Sequence, residues 1–153
     1  MPIPYNLSQD FEGFYSFTTD FGLSYSLFLI DTTEQFGLDE GHGCVLYHFG
    51  LTLESVANED DRRVYDERIE ATVVSFVSAT LANNKNCIVY AGSPAGNKEK
   101  ARIKLFERWY RRGKEQLEHI EKFDRGINIH QHAVLLIHKN NEYKDKIVAV
   151  FLA

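Results

Sequence analysis

Apolar and polar side chains alternate from Phe11 to Asp31, with Tyr15 and Phe17 and then Leu23, Tyr25, Leu27 and Leu29 on one parity. Successive side chains of a strand point to opposite faces, so this period of two, carried by aromatic and β-prone residues, predicts two strands. Asp20-Phe21-Gly22 supplies the turn between them and makes the pair a hairpin. After a polar loop with three glycines, TTEQFGLDEGHG, alternation resumes through Val45, Tyr47, Phe49, Leu51 and Leu53. The amino-terminal part therefore reads as a three-strand antiparallel meander.

At Asn58 the period changes. Asn58 is a capping residue, and Glu59, Asp60 and Asp61 place negative charge at the positive end of a helix dipole. Tyr65, Ile69, Val73, Phe76 and Thr80 then recur at helical spacing down to Ala82, and Asn83-Asn84 ends the helix. The β-branched run Cys87 to Ala91 is a buried strand. A second helix starts after Asn97, with Phe106, Tyr110, Leu117 and Ile120 in phase and Gly113 in register between them. Gly113 either ends this helix or sits inside it where helices pack closely; we read one continuous or kinked helix from Lys98 to Lys122. Phe123 to Gly126 is then a turn into a strand, INIHQHAVLLIH. The tail fits both an edge strand, KIVAVFL, and a short helix carrying Tyr143, Ile147 and Phe151, and we take the helix. The order β, β, β, α, β, α, β, α predicts an α+β fold: one mixed, mainly antiparallel sheet with two long helices packed on one face, in a single domain over 1–153.

A hydrophobic share of 44% with 11 Phe and eight Tyr is ample for one core. The start lacks the basic and apolar regions of a signal sequence, and no apolar run approaches the roughly 18 residues of a membrane helix. A cytoplasmic protein that does not enter a membrane is expected, with Cys44 and Cys87 as buried free thiols. Charge changes the picture more. Residues 1–61 hold 11 acidic side chains and no Lys or Arg, so the two parts of the chain carry about -11 and +6 by direct count. Either the parts neutralise each other within the fold, or each faces an outside partner.

Eight of the 17 basic residues lie between Lys98 and Lys114. Lys100, Lys104, Arg108 and Arg111 form a stripe along the second helix, with Arg112 beside it. Lys98 and Lys100 occupy its first turn, where cations are disfavoured, so something negative is expected against them. These six residues are the binding candidates. A nucleic-acid backbone is one possible occupant, with Trp109 or Tyr110 stacking on bases if exposed. The loop AGSPAGNK has the strand-to-helix context of a phosphate loop but not its motif: Gly92 and Gly96 are too close, Asn97 intervenes, and Glu99 replaces the hydroxyl.

His130 and His132 project from one strand face and offer two metal ligands, with His138, His42 and His48 as further histidines, but a third ligand and a carboxylate are missing from the pattern. Ser93 lacks a nucleophile elbow, and both cysteines lie in apolar strands where a thiol is unreactive. No catalytic residue and no cofactor are assigned.

The run A-R-x-x-L-F-x-x-W from Ala101 to Trp109, with Gly96 before it and Asp124, Asn140 and Phe151 after it, resembles an uncharacterised bacterial family of single-domain proteins of about this length. The resemblance implies a complete bacterial cytoplasmic domain and carries no activity. The expected function is thus a non-enzymatic interaction or regulatory module that engages a protein, or a second copy, through its acidic and basic surfaces. The alternatives are nucleic-acid or phosphate-ligand binding between Lys98 and Arg112, and a small enzyme built on Ser93 or on His130 and His132.

Overall fold

The alternating segments of the amino-terminal part form strands paired antiparallel throughout: β1 (Ser8–Phe11), β2 (Phe14–Thr18), β3 (Leu23–Asp31) and β4 (Val45–Val56). The structure is a computed structural model that describes residues 2–38, 43–56, 66–92, 97–128 and 131–153, with 56, 92, 97–102, 126–128 and 131 described for their backbone alone. The meander has four strands where the pattern predicts three. All four residues of β1 are exposed. An edge strand needs only one row of backbone hydrogen bonds, so its side chains need not follow the apolar period.

β4 pairs parallel with β5 (Asn86–Gly92), from Val45 opposite Asn86 to His48 opposite Val89. Parallel neighbours need a crossover, and this one contains α1 (Glu67–Leu81). Then follow α2 (Asn97–Arg112), β6 (Ile120–Asn128), β7 (Gln131–His138) and α3 (Lys144–Leu152). The fold is α+β: a seven-stranded mixed sheet in the order β1-β2-β3-β4-β5-β7-β6, with three helices. No helix among the described residues is long and apolar enough to cross a membrane.

Side chains of alternate parity enter two cores. Leu27, Phe49, Ile88, Tyr90, Val134 and Leu136 pack with Val73, Val77 and Leu81 of α1 and Phe106 and Trp109 of α2. From the opposite face Leu46, Cys87, Val89, Leu135 and Ile137 pack with Ile147 and Phe151 of α3. The two long helices, α1 and α2, thus lie on one face, and α3, which the expectation did not place, covers the other. Cover on both faces explains two sequence patterns. Strands β5 and β7 are buried on both faces and read as unbroken apolar runs, whereas the meander strands alternate.

Helix α1 opens on Asp66, whose side chain accepts from the Arg68 N–H at 2.9 Å. The cap expected at Asn58, with Asp60 and Asp61, lies outside the described residues. Asp66 also accepts from the Tyr5 hydroxyl at 2.5 Å, while the Tyr5 N–H donates to Thr72 at 2.8 Å and the Arg68 guanidinium covers the Tyr5 ring at 3.9 Å. The start of the chain is thereby tied to the first two turns of α1. Burial, and then the bond to Asp66, pushes the Tyr5 phenol up to about 12.

The second helix is shorter than expected. It ends at Arg112, and the residues up to Lys122, taken as its continuation, are a turn leading into β6. The Gly113 N–H donates to the Trp109 carbonyl at 2.8 Å, and the Gln116 and Leu117 N–H groups turn back onto the Gly113 carbonyl at 2.9 and 3.0 Å. The segment read as the turn, Phe123 to Gly126, is inside β6. Leu117 and Ile120 are buried as their spacing predicts, but the first lies in the turn and the second opens the strand.

A Cβ on Gly113 would stand 2.7 Å from Val74 Cγ1 of α1 and 3.1 Å from the Trp109 carbonyl oxygen, so this glycine sets how closely the end of α2 approaches α1. Its backbone is one any residue adopts, and the clash decides the outcome. Gly113→Ala is expected to destabilise by about 1–3 kcal/mol, the usual range for overpacking. The double variant with Val74→Ala should lose less than the two single losses added together. Urea unfolding midpoints measure both; a neutral Gly113→Ala would mean that the contact yields freely.

Candidate functional site

Lys104, Arg108 and Arg111 of α2 are exposed, and among the described residues none of them makes an ion pair or hydrogen bond. They follow one another at i, i+4 and i+7, which keeps them on one helix face. Arg112 is exposed at the end of α2 and lies 3.5 Å from Glu70 of α1. Lys98 and Lys100 stand in the first turn of α2, but their side chains lie outside the described residues, as does that of Arg102. The aromatic residues beside the stripe face inward. Trp109 is only 4% exposed and packs against Phe106, and the half-buried Tyr110 donates its hydroxyl to the Ile120 carbonyl at 3.0 Å. Neither offers a free ring for base stacking.

Among the described residues, no acid of the meander pairs with this stripe. Asp20 is engaged by Arg68 at 2.8 Å. Glu12, Asp31, Tyr15 and Tyr47 line a cleft of about 620 Å³ at one end of the meander, and no Lys or Arg is among its lining residues. Burial raises the Tyr47 phenol, and the charges of Asp31 and then Glu12 add to the effect.

Next to the basic helix the fold assembles a cluster that sequence spacing does not contain. His132 of β7, Asp124 of β6 and Glu107 of α2 bring three ligand atoms within 4.8 Å of one another. His132 Nε2 lies 3.2 Å from Asp124 Oδ1. Lys122 Nζ stands 3.8 Å from Glu107 Oε1 and 3.9 Å from Asp124 Oδ2. Strand pairing produces this arrangement. Asp124 is opposite Val134, two residues from His132, and Val134 is opposite Tyr90 on its other side, so all these side chains share the face covered by α2. Tyr90 is 4% exposed, and its hydroxyl has no hydrogen-bond partner. Burial, then the charges of Glu107 and Asp124, raises its pKa, placing the hydroxyl in the field of the cluster.

His132 is therefore brought to carboxylates, while the expected pairing with His130 lies outside the described residues. Parity alone relates Asp124 to His132, and only once β6 and β7 are recognised as a hairpin; nothing local points to Glu107. His138 is engaged otherwise: its ring stacks on His119 at 5.8 Å and its Nδ1 accepts from the Asn140 N–H at 3.0 Å. Burial and then His119 lower its pKa. His48 stacks on Phe28 at 5.9 Å, and burial lowers its pKa. Ser93 and His42 lie outside the described residues. Cys44 and Cys87 are buried free thiols; burial pushes Cys87 up to about 12, leaving it protonated and unreactive at neutral pH.

No protein-family model, curated protein or solved structure matches this chain.

Proposed function

We propose that the protein is a non-enzymatic cytoplasmic interaction module that holds an acidic partner protein on the outer face of α2. The observation that supports this reading is the row of Lys104, Arg108 and Arg111, exposed and without a counter-charge among the described residues. Three like charges held on one rigid helix repel one another, and an acidic surface set against them relieves that repulsion. Such charges govern the rate and selectivity of encounter more than final affinity. The acidic meander adds selectivity by turning away acidic partners that approach from that side, or by accepting the basic helix of a second copy.

A nucleic acid is the less suitable occupant. With Trp109 buried and Tyr110 engaged, neither ring beside the basic stripe is offered to bases, and a net charge of -5 opposes a long polyanion beyond the helix itself.

The triple variant Lys104→Glu, Arg108→Glu, Arg111→Glu tests the reading. Wild-type protein should retain an acidic protein from lysate of its own host, and light scattering should show whether that protein is a second copy. Exposed charge pairs contribute about 0.2–1 kcal/mol each, and reversal replaces attraction with repulsion, so binding should weaken about tenfold or more. It should also weaken in concentrated salt, where the screening length shrinks from about 10 Å at 0.1 M to about 3 Å at 1 M. Retention of the same proteins by the variant would overturn the proposal, and so would RNA or DNA as the species retained.

A further inference from the structure

We infer that Glu107, Asp124 and His132 form a binding site for one divalent transition-metal ion of the manganese, iron or zinc type. The donor set comes first. Two carboxylates and one imidazole suit these ions, whereas an all-oxygen set would suit magnesium or calcium. The three side chains are held by three elements, α2, β6 and β7, and each is partly accessible, which leaves open positions for water or an incoming ligand.

Ligand atoms about 2.1 Å from a common ion lie roughly 3–4 Å apart, so the present limit of 4.8 Å closes onto an ion by side-chain rotation of about an ångström. The backbone already places Asp124 and His132 side by side, with 3.2 Å between Oδ1 and Nε2.

The Tyr90 hydroxyl, on the same sheet face as Asp124 and His132, is buried without a hydrogen-bond partner, and a buried donor left unpaired is destabilising. A carboxylate drawn inward onto a metal, or a water on that metal, gives this donor an acceptor. Carboxylate ligands are usually held by such outer hydrogen bonds.

Lys122 supplies the counter-charge now. At 3.8 and 3.9 Å its ammonium is too far for strong hydrogen bonds to Glu107 and Asp124 and serves both loosely. Its long side chain can swing outward over the Tyr110 ring, where it already lies 5.8 Å from the centroid. A dication would replace it, so lysine and metal compete for the same two carboxylates.

The test uses the full chain, stripped with chelator and titrated calorimetrically with Mn2+ and with Zn2+, with the electron paramagnetic resonance of Mn2+ as a second readout. One ion should bind per chain. Loss of an outer hydrogen-bond partner typically weakens metal binding about 10–100-fold, so His132→Asn and Asp124→Asn should each weaken it at least tenfold. Lys122→Gln, by removing the competitor, should tighten it several-fold. His132 sits on a partly exposed strand end, so His132→Asn remains decisive even if the Asp124 variant folds poorly. Absence of saturable binding of either ion up to millimolar concentration would overturn the inference, as would binding that His132→Asn leaves unchanged.

Discussion

Phe106→Ala is expected to lower the unfolding free energy by about 3–5 kcal/mol, the range for removing a buried aromatic ring. Phe106 is where α2 is seated on the sheet. Its ring meets Tyr90 edge-on at 5.1 Å, Phe49 at 5.7 Å and Trp109 at 5.5 Å, joining β4, β5 and its own helix. A void of about 30 Å³ already adjoins it, lined in part by Val77, Trp109 and Leu136. Truncation enlarges that void among β-strand and aromatic side chains with little room to collapse, which places the cost toward the upper end of the range. A domain with the usual 5–15 kcal/mol of stability would lose a large fraction of it. Urea unfolding at constant slope measures the change; a loss under about 1 kcal/mol would show that α2 is seated by other contacts.

On the opposite face Phe151→Ala is expected to release α3 before it unfolds the sheet. Phe151 is 1% exposed, and Ile147 is its companion in the second core. Arg125 donates to the Phe151 carbonyl at 3.1 Å, and Lys144 pairs with Glu121 at 2.9 Å. A helix of nine residues does not hold its shape in water alone, so α3 exists by docking. Losing a buried phenyl ring, again about 3–5 kcal/mol, removes the main part of that docking. Cys87, fully buried beneath α3, should then meet solvent, its pKa should fall from about 12 toward the ordinary thiol value, and it should react with a thiol reagent at pH 8 at least about tenfold faster than in the wild type. Leu152→Ala, at an exposed position on the same helix, should leave labelling unchanged. Equal labelling of Phe151→Ala and wild type would mean that α3 does not depend on this ring.

Local periodicity carried much of the fold. Tyr15, Phe17, Leu27 and Leu29 alternate because one meander face is open to water, and the strands β2, β3 and β4 lie where that alternation falls. Ile147 and Phe151, one helical turn apart, marked the tail as α3. The misplaced end of α2 has a local cause. Leu117 and Ile120 stand three residues apart, a spacing compatible with a helix flank and with a turn that feeds a strand, and their burial is common to both. Gly113 lies where α2 ends, and the room for its missing Cβ is taken by Val74, 39 positions earlier, which no window around it contains. Strand β1 escaped because an edge strand imposes no apolar pattern on its side chains.

The sequence by itself determined the apolar positions of the meander, α1 and α3 and the uneven division of charge, because hydrophobic period and charge are properties of neighbours along the chain. The tertiary structure alone decided that Lys104, Arg108 and Arg111 have no ion pair among the described residues while Trp109 turns inward, and that Glu107 and Asp124 meet His132 on the sheet face that also carries Tyr90. Those meetings depend on strand order and pairing register, in which Asp124 reaches His132 through Val134, and on the helix laid across them. They follow from the summed packing of the whole core, and no single segment encodes them.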